Sequence, residues 1–316
     1  MIPNRVFFIH LGDYLPWSTG IAILSAKQIQ NAEETILYIK NEIHGEGFDL
    51  IKNKGILFKQ IDEDSIFSGL GDNGICGNTY KILENYALKA DLLRLALLYK
   101  EGGVYLDTDT ITIKPWNDLL QYKGFCGQES LAFPKKLLDY PQVKCSNPFL
   151  FLIAGFRYAW SYLCMNVPHG ERVFRLAEGF FNLAVSNAVL ASEAKNKLIE
   201  QAFAAINEMG EEERLRHFRL GPRLLQQITK NKSSEYMKVL PPAYFYPVSP
   251  NVIHRIFCKS SAKRLNKILL PQTRIIHWYN SIEKKYSQEQ LNLKWIEKHP
   301  TSAFAKLAID ISTLKT

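Results

Sequence analysis

Along the first forty residues, apolar and polar positions alternate in blocks that predict alternating strands and a helix. Residues 6–11 form a short apolar run that stops at Gly12-Asp13, residues 21–31 carry apolar side chains at helical spacing, and residues 35–39 form a second apolar run. Short apolar runs closed by turn formers predict strands and a 3.6-residue period predicts a helix, so the start reads β-α-β. A nucleotide-binding sheet begins in this way. Over 81–100 the residues Leu83, Ala87, Ala90, Leu93, Leu97 and Leu98 recur at helical spacing, Gly102-Gly103 then stops the helix, and 104–106 follows as a strand.

After Trp116 the regularity fades. Residues 147–165 are apolar on all sides, with Pro148 near the start and Arg157 in the middle, too short and too interrupted for a membrane span. A buried helix or helical hairpin is the plainer expectation. The sharper one is a membrane-surface or partner-docking insert through 148–165. Val173, Phe174, Ala177, Phe180 and Phe181 share one face of a following helix, 183–190 reads as a strand, and 195–209 reads as an amphipathic helix. Ser287 with Gln290 suits the cap of a C-terminal helix that Pro300 interrupts. With no repeat or low-complexity linker, the expectation is one domain over 1–316, with a helical insertion at about 120–182 and a helical tail at about 286–316.

Composition narrows the class. The 316 residues are 47% hydrophobic and 22% charged, which suits a globular chain that buries a large α/β core. Cys76, Cys126, Cys145, Cys164 and Cys258 are odd in number, scattered and without a CxxC pair, against a disulfide framework or a thiolate zinc site. The first residues lack the basic start, continuous apolar stretch and small-residue cleavage site of a signal peptide. A reducing cytoplasm is therefore expected. The net charge of +8 favours an anionic partner, and without a Lys/Arg tract interleaved with aromatics a nucleotide diphosphate or an acidic membrane ranks above nucleic acid.

The chemistry concentrates in KADLLRLALLYKEGGVYLDTDT. Asp107 and Asp109 stand two apart at the end of the predicted strand, so both carboxylates are expected on one face, where two hard oxygen ligands suit a divalent cation. Such a cation can neutralise a departing diphosphate. Asp91 and Arg94 are three apart on the preceding helix, which makes them either a structural salt bridge or ligands for sugar and phosphate.

Together these residues resemble the GT-A glycosyltransferases with a DXD sugar-binding region. The resemblance is to the retaining α-1,4-galactosyltransferase-like group, and more distantly to the clostridial glucosylating toxins. The shared order is Asp91, Arg94, Gly102, Gly103, Val104, Tyr105, Leu106, Asp107 and Asp109, followed by Ser186-Asn187, Gly221-Pro222, the stretch 240–248 and His277-Trp278-Tyr279-Asn280. The resemblance implies an α/β fold, a Rossmann-like mixed and mainly parallel sheet between helices. It implies donor binding by Ile9, His10, Asp91, Arg94, Tyr105, Asp107 and Asn280, and metal binding by Asp107, Asp109 and His277. It further implies a UDP-sugar donor, Mn2+ with Mg2+ as substitute, and transfer with retention, with Asp107 and Asp109 at the catalytic centre. Where the family commonly has Trp in the first strand, His10 stands here.

A saccharide acceptor such as the lipopolysaccharide core, reached from the cytoplasm or the inner membrane surface, is the first expectation. The second is a host protein modified by a secreted effector. A haloacid-dehalogenase phosphatase fails because Ile111 stands where its motif needs Thr or Val, and an inactive adaptor conflicts with an intact donor motif.

Overall fold

The computed structural model describes residues 1–130, 148–181, 183–280 and 291–313. Cys145, Ser287 and Gln290 lie outside the described residues. The core is a seven-stranded sheet in the order β3-β2-β1-β4-β7-β6-β8. It comprises β1 (Arg5–His10), β2 (Glu34–Ile39), β3 (Leu57–Gln60), β4 (Gly103–Leu106), β6 (Gly124–Ser130), β7 (Leu183–Ser192) and β8 (Lys238–Leu240). Within this sheet β7 alone runs antiparallel to its neighbours β4 and β6, while the other pairings are parallel. The mixed, mainly parallel sheet expected from the sequence is thus present. Its central strands are apolar runs without alternation because both faces are covered: Phe8 and Leu37 sit in one core, and Phe7 and Ile36 in the other. A separate two-stranded sheet pairs β5 (Thr110–Thr112) with β9 (Ile275–His277).

Helices cover both faces: α1 (Trp17–Ser25), α2 (Glu46–Ile51), α3 (Glu63–Phe67), α4 (Ile75–Ile82), α5 (Tyr86–Glu101), α6 (Pro148–Asn166), α7 (Gly170–Leu176), α8 (Lys197–Glu208), α9 (Glu211–Arg214) and α10 (Pro222–Tyr236). The single helix expected over 81–100 is two. Leu83 leaves the helical region at ψ 132°, and Asn85 caps α5 by accepting from Ala87 N at 2.8 Å. The helix expected over 21–31 starts at Trp17 and passes into a π-helical turn (Ala26–Gln30) that Asn31 ends at φ 51°. Ser25, at this join, accepts from Thr112 N at 2.9 Å and so ties α1 to β5.

The expected helical insertion begins later than about 120. Gly124–Ser130 is strand β6, and the described helical part is α6, α7 and a 3-10 turn at Glu178–Phe180. Because α7 stops at Leu176, the face expected to bury Val173 through Phe181 divides: Phe174 and Phe181 are buried, whereas Phe180 is 67% exposed. The described part of the C-terminal segment is two short helices, Leu293–Lys298 and Ala303–Thr313, separated at Pro300 as expected. It packs into the core through Phe304, whose ring lies 5.3 Å from that of Trp278.

Candidate active site

Asp107 and Asp109 stand beyond the C-terminal edge of β4, where parallel sheets bind their ligands. Two glycines bring the chain there. Gly102 ends α5 at φ +66° with its N–H bonded to Leu98 O, and at Gly103 (φ +112°) a Cβ would stand 2.8 Å from Arg5 O. Only glycine lets α5 turn this tightly against β1. The aspartates do not share a strand face. They occupy the turn between β4 and β5, pinned by Thr110 Oγ1 donating to Asp107 O at 2.8 Å and by Asp107 N donating to Ala188 O of β7 at 2.8 Å.

The second sheet delivers His277, because Thr110 pairs with His277 in the β5/β9 register. His277 Nε2 lies 2.9 Å from Asp109 Oδ1, while Asn280 N donates to Asp109 Oδ2 at 2.9 Å. Burial alone would lower the His277 pKa, but the Asp109 carboxylate outweighs it and raises it to about 9. Burial works to raise Asp109 in turn, and the His277 charge with the Asn280 amide holds it below the usual carboxylate range. One ligand-type atom from each of Asp107, Asp109 and His277 lies within 4.8 Å of the other two. Two carboxylates and an imidazole converging at a strand edge form a donor set that fits a divalent cation, whose charge would replace that of the proton shared by His277 and Asp109.

Beneath this corner, Arg94 binds several groups at once. Its Nη1 is 3.1 Å from Asp107 Oδ1 and donates to Asn187 O at 2.7 Å, its Nη2 is 3.2 Å from Asp91 Oδ1, and its guanidinium lies 4.3 Å from the Tyr105 ring centre. Tyr105 donates its hydroxyl proton to the same Asp107 oxygen at 2.5 Å. Asp91 is buried and also accepts from Asn187 Nδ2 at 2.7 Å, and burial raises its pKa to about 6 against the pull of Arg94 and Asn187. Asp91 and Arg94 therefore form a salt bridge, one of the two alternatives their spacing offered, and that bridge is joined to the DxD turn.

At the rim, Ile9 is buried and His10 half-buried at the end of β1, the parallel neighbour of β4. His10 Nε2 meets Tyr14 O at 3.1 Å, and burial lowers its pKa, which keeps the ring neutral. Three contributors carried no assigned role in the sequence. Asn187 was visible in the Ser186-Asn187 pattern, yet its double link to Asp91 and Arg94 was not. Gly221 belongs to the Gly221-Pro222 pattern, and a Cβ there would stand 2.5 Å from Asp91 Oδ2. Glu129 on β6 had no sequence signal beyond a lone carboxylate in the run GFCGQES. Tyr279 and Ser186 face its carboxyl, and burial pushes its pKa up, although Oε2 itself has no bond of ordinary geometry.

Residues 25–125 match the glycosyltransferase sugar-binding region containing the DXD motif, and residues 218–308 match the alpha 1,4-glycosyltransferase conserved region. Glucan organizing enzyme 1 of Cryptococcus neoformans var. grubii is 28% identical over 158 residues, 46% of this chain and 39% of that protein. Subversion of eukaryotic traffic protein A of Legionella pneumophila is 32% identical over 123 residues, 37% of this chain and 18% of that protein. The chain thus spans well under half the length of either relative. The UDP-bound glycosyltransferase domain of the YGT toxin aligns at TM-score 0.43 and 11% identity, covering 99% of each chain. The first matched region holds Asp91, Arg94, Asp107 and Asp109 and the second holds Gly221, His277 and Asn280, so each supplies part of one corner. The chain carries the sugar-binding region of the DXD-containing glycosyltransferases and the alpha 1,4-glycosyltransferase conserved region, and the two meet at this corner.

Proposed function

We propose that the protein transfers a hexose or N-acetylhexosamine from a UDP-sugar to a glycan or protein acceptor, with retention of configuration and with a divalent ion held by Asp107, Asp109 and His277. The observation that carries this reading is the convergence of those three side chains, distant in sequence, within 4.8 Å of one another. Manganese suits two carboxylates and one imidazole, and magnesium is the substitute. When bound, the ion supplies positive charge opposite the departing diphosphate.

The protein's own groups prepare the donor. Arg94 holds Asp107 in place from below, and the Tyr105 hydroxyl fixes the same oxygen, so the Asp107 carboxylate presents one orientation to the ribose or sugar. Asp91 accepts from donor sugar hydroxyls, and Arg94 adds positive charge near sugar or phosphate. Ile9 and His10 at the β1 edge, with Asn280 beside Asp109, contribute the remaining donor contacts. In front-face transfer the departing diphosphate itself takes the acceptor proton, and no side chain is assigned as base or nucleophile.

For the acceptor, a surface glycan such as the lipopolysaccharide core goes with cytoplasmic residence at the inner membrane face, assisted by membrane-surface association through 148–165. Modification of a host protein by a secreted effector is the second reading. It is favoured by the partial likeness to a Legionella protein named for subversion of eukaryotic traffic. Hydrolysis of UDP-glucose, UDP-galactose and UDP-N-acetylglucosamine, measured with chelator and then with manganese, tests the donor half. Turnover should appear with one of them and depend on the ion; UDP binding without metal, together with full activity in Asp109→Asn, would overturn it.

A further inference from the structure

Helix α6 presents a broad apolar surface outward. Among its described side chains Ala154, Ser161 and Cys164 are buried and Trp160 and Met165 pack partly against the core, whereas Phe149 (67%), Leu152 (68%), Phe156 (44%) and Leu163 (45%) are exposed. The exposed positions 149, 152, 156 and 163, with exposed Ala159 between the last two, follow alternating steps of three and four residues and so form one straight stripe. A contiguous row of large apolar side chains facing outward marks a surface that another body covers. The stripe continues beyond the helix, since the Phe180 ring lies 5.8 Å from that of Phe156 and Leu176 is 81% exposed.

Among the described residues of α6 and α7, no acidic side chain is exposed. No acidic residue occurs in Pro148–Asn166. The neighbouring Glu171 is buried beside Arg264 at 3.5 Å, and Glu178 is half-buried and accepts from Ser130. The cations Arg172, Lys263 and Lys267 are exposed, and Arg175 donating to Lys267 O at 3.2 Å sets that strip against α7. A second copy of the chain would bring these cations against their own kind, whereas an anionic surface would neutralise them. No described helix is long and apolar enough to cross a membrane. An apolar stripe on such a helix, with exposed cations on neighbouring elements, suits an orientation parallel to a lipid surface.

We propose that the outward stripe of α6, with Leu176 and Phe180, seats in the interface of an anionic lipid membrane while Arg172, Lys263 and Lys267 engage its headgroups; this rests on the membrane-surface reading of 148–165 given above. The active site then works at fixed height above the bilayer, where a membrane-borne acceptor is concentrated.

Cosedimentation of the full chain with vesicles tests it. The protein should pellet with phosphatidylcholine–phosphatidylserine vesicles at low salt, and about tenfold less with phosphatidylcholine alone or at high salt. Leu152→Glu and Phe156→Glu, at exposed positions, should each cut vesicle binding by about tenfold or more, and Arg172→Glu by about fivefold. UDP-sugar hydrolysis in solution should stay at the parent level in all three. Failure to pellet with either vesicle, or pelleting that Leu152→Glu leaves intact, overturns the proposal. So does a concentration-dependent dimer that Leu152→Glu dissolves in a protein that ignores lipid. Vesicle binding without any hydrolysis of UDP-sugars would instead count against the donor reading alone.

Discussion

Arg94 balances two carboxylates inside the protein, and the consequences of substitution around it differ by partner. Arg94→Met should cost about 3–5 kcal/mol, because Asp91 and Asp107 would keep their charges without a counter-ion. Asp91→Ala should cost only about 1–2 kcal/mol, since Arg94 keeps Asp107 and the Asn187 carbonyl. Donor turnover should nevertheless fall by about a hundredfold. Urea midpoints beside turnover per folded molecule separate the two effects, and a large stability loss in Asp91→Ala with unchanged turnover would leave it a structural ion only. Asp109→Asn should slow turnover by about a thousandfold or more, and His277→Ala by about ten- to a hundredfold, read as initial rates in saturating manganese. The two aspartates were legible because acids at this spacing after Gly-Gly-hydrophobic-Tyr-hydrophobic are rare. Their geometry was not, since turn and strand space them alike in one dimension.

Among elements, those covered on both faces were the readable ones. Strands β1, β2 and β4 announce themselves as apolar runs, and β7 nearly to its bounds. Strand β6 is GFCGQES and carries no such run, so it was absorbed into the expected insertion although it lies inside the sheet. Strands β5 and β9 are three residues each, below the length at which a pattern exists. The break between α4 and α5 was hidden because buried Leu83 keeps the helical rhythm through a non-helical bend. That bend depends on its cap, and Asn85→Ala should cost about 1 kcal/mol. Gly102→Ala should cost more, about 2 kcal/mol or above, because it combines a left-handed φ of +66° with a Cβ 2.8 Å from Ala194 N. Chemical denaturation of both variants checks the order.

At the scale of the whole molecule, the C-terminal helices are part of the core. Phe304 packs on Trp278, next to His277, and Phe304→Ala should cost about 3–5 kcal/mol and lower thermal stability accordingly. The C-terminal pattern had pointed to helices split at Pro300, but not to their place in the core, which depends on which distant aromatic waits for them. The pairing of Thr110 with His277 has a further meaning for biosynthesis. A growing polypeptide folds from its beginning as it leaves the ribosome. The partners of Asp109, His277 and Asn280, are added more than 160 residues after it. A product that stops short of them can build much of the sheet and still lack the contacts that hold Asp109.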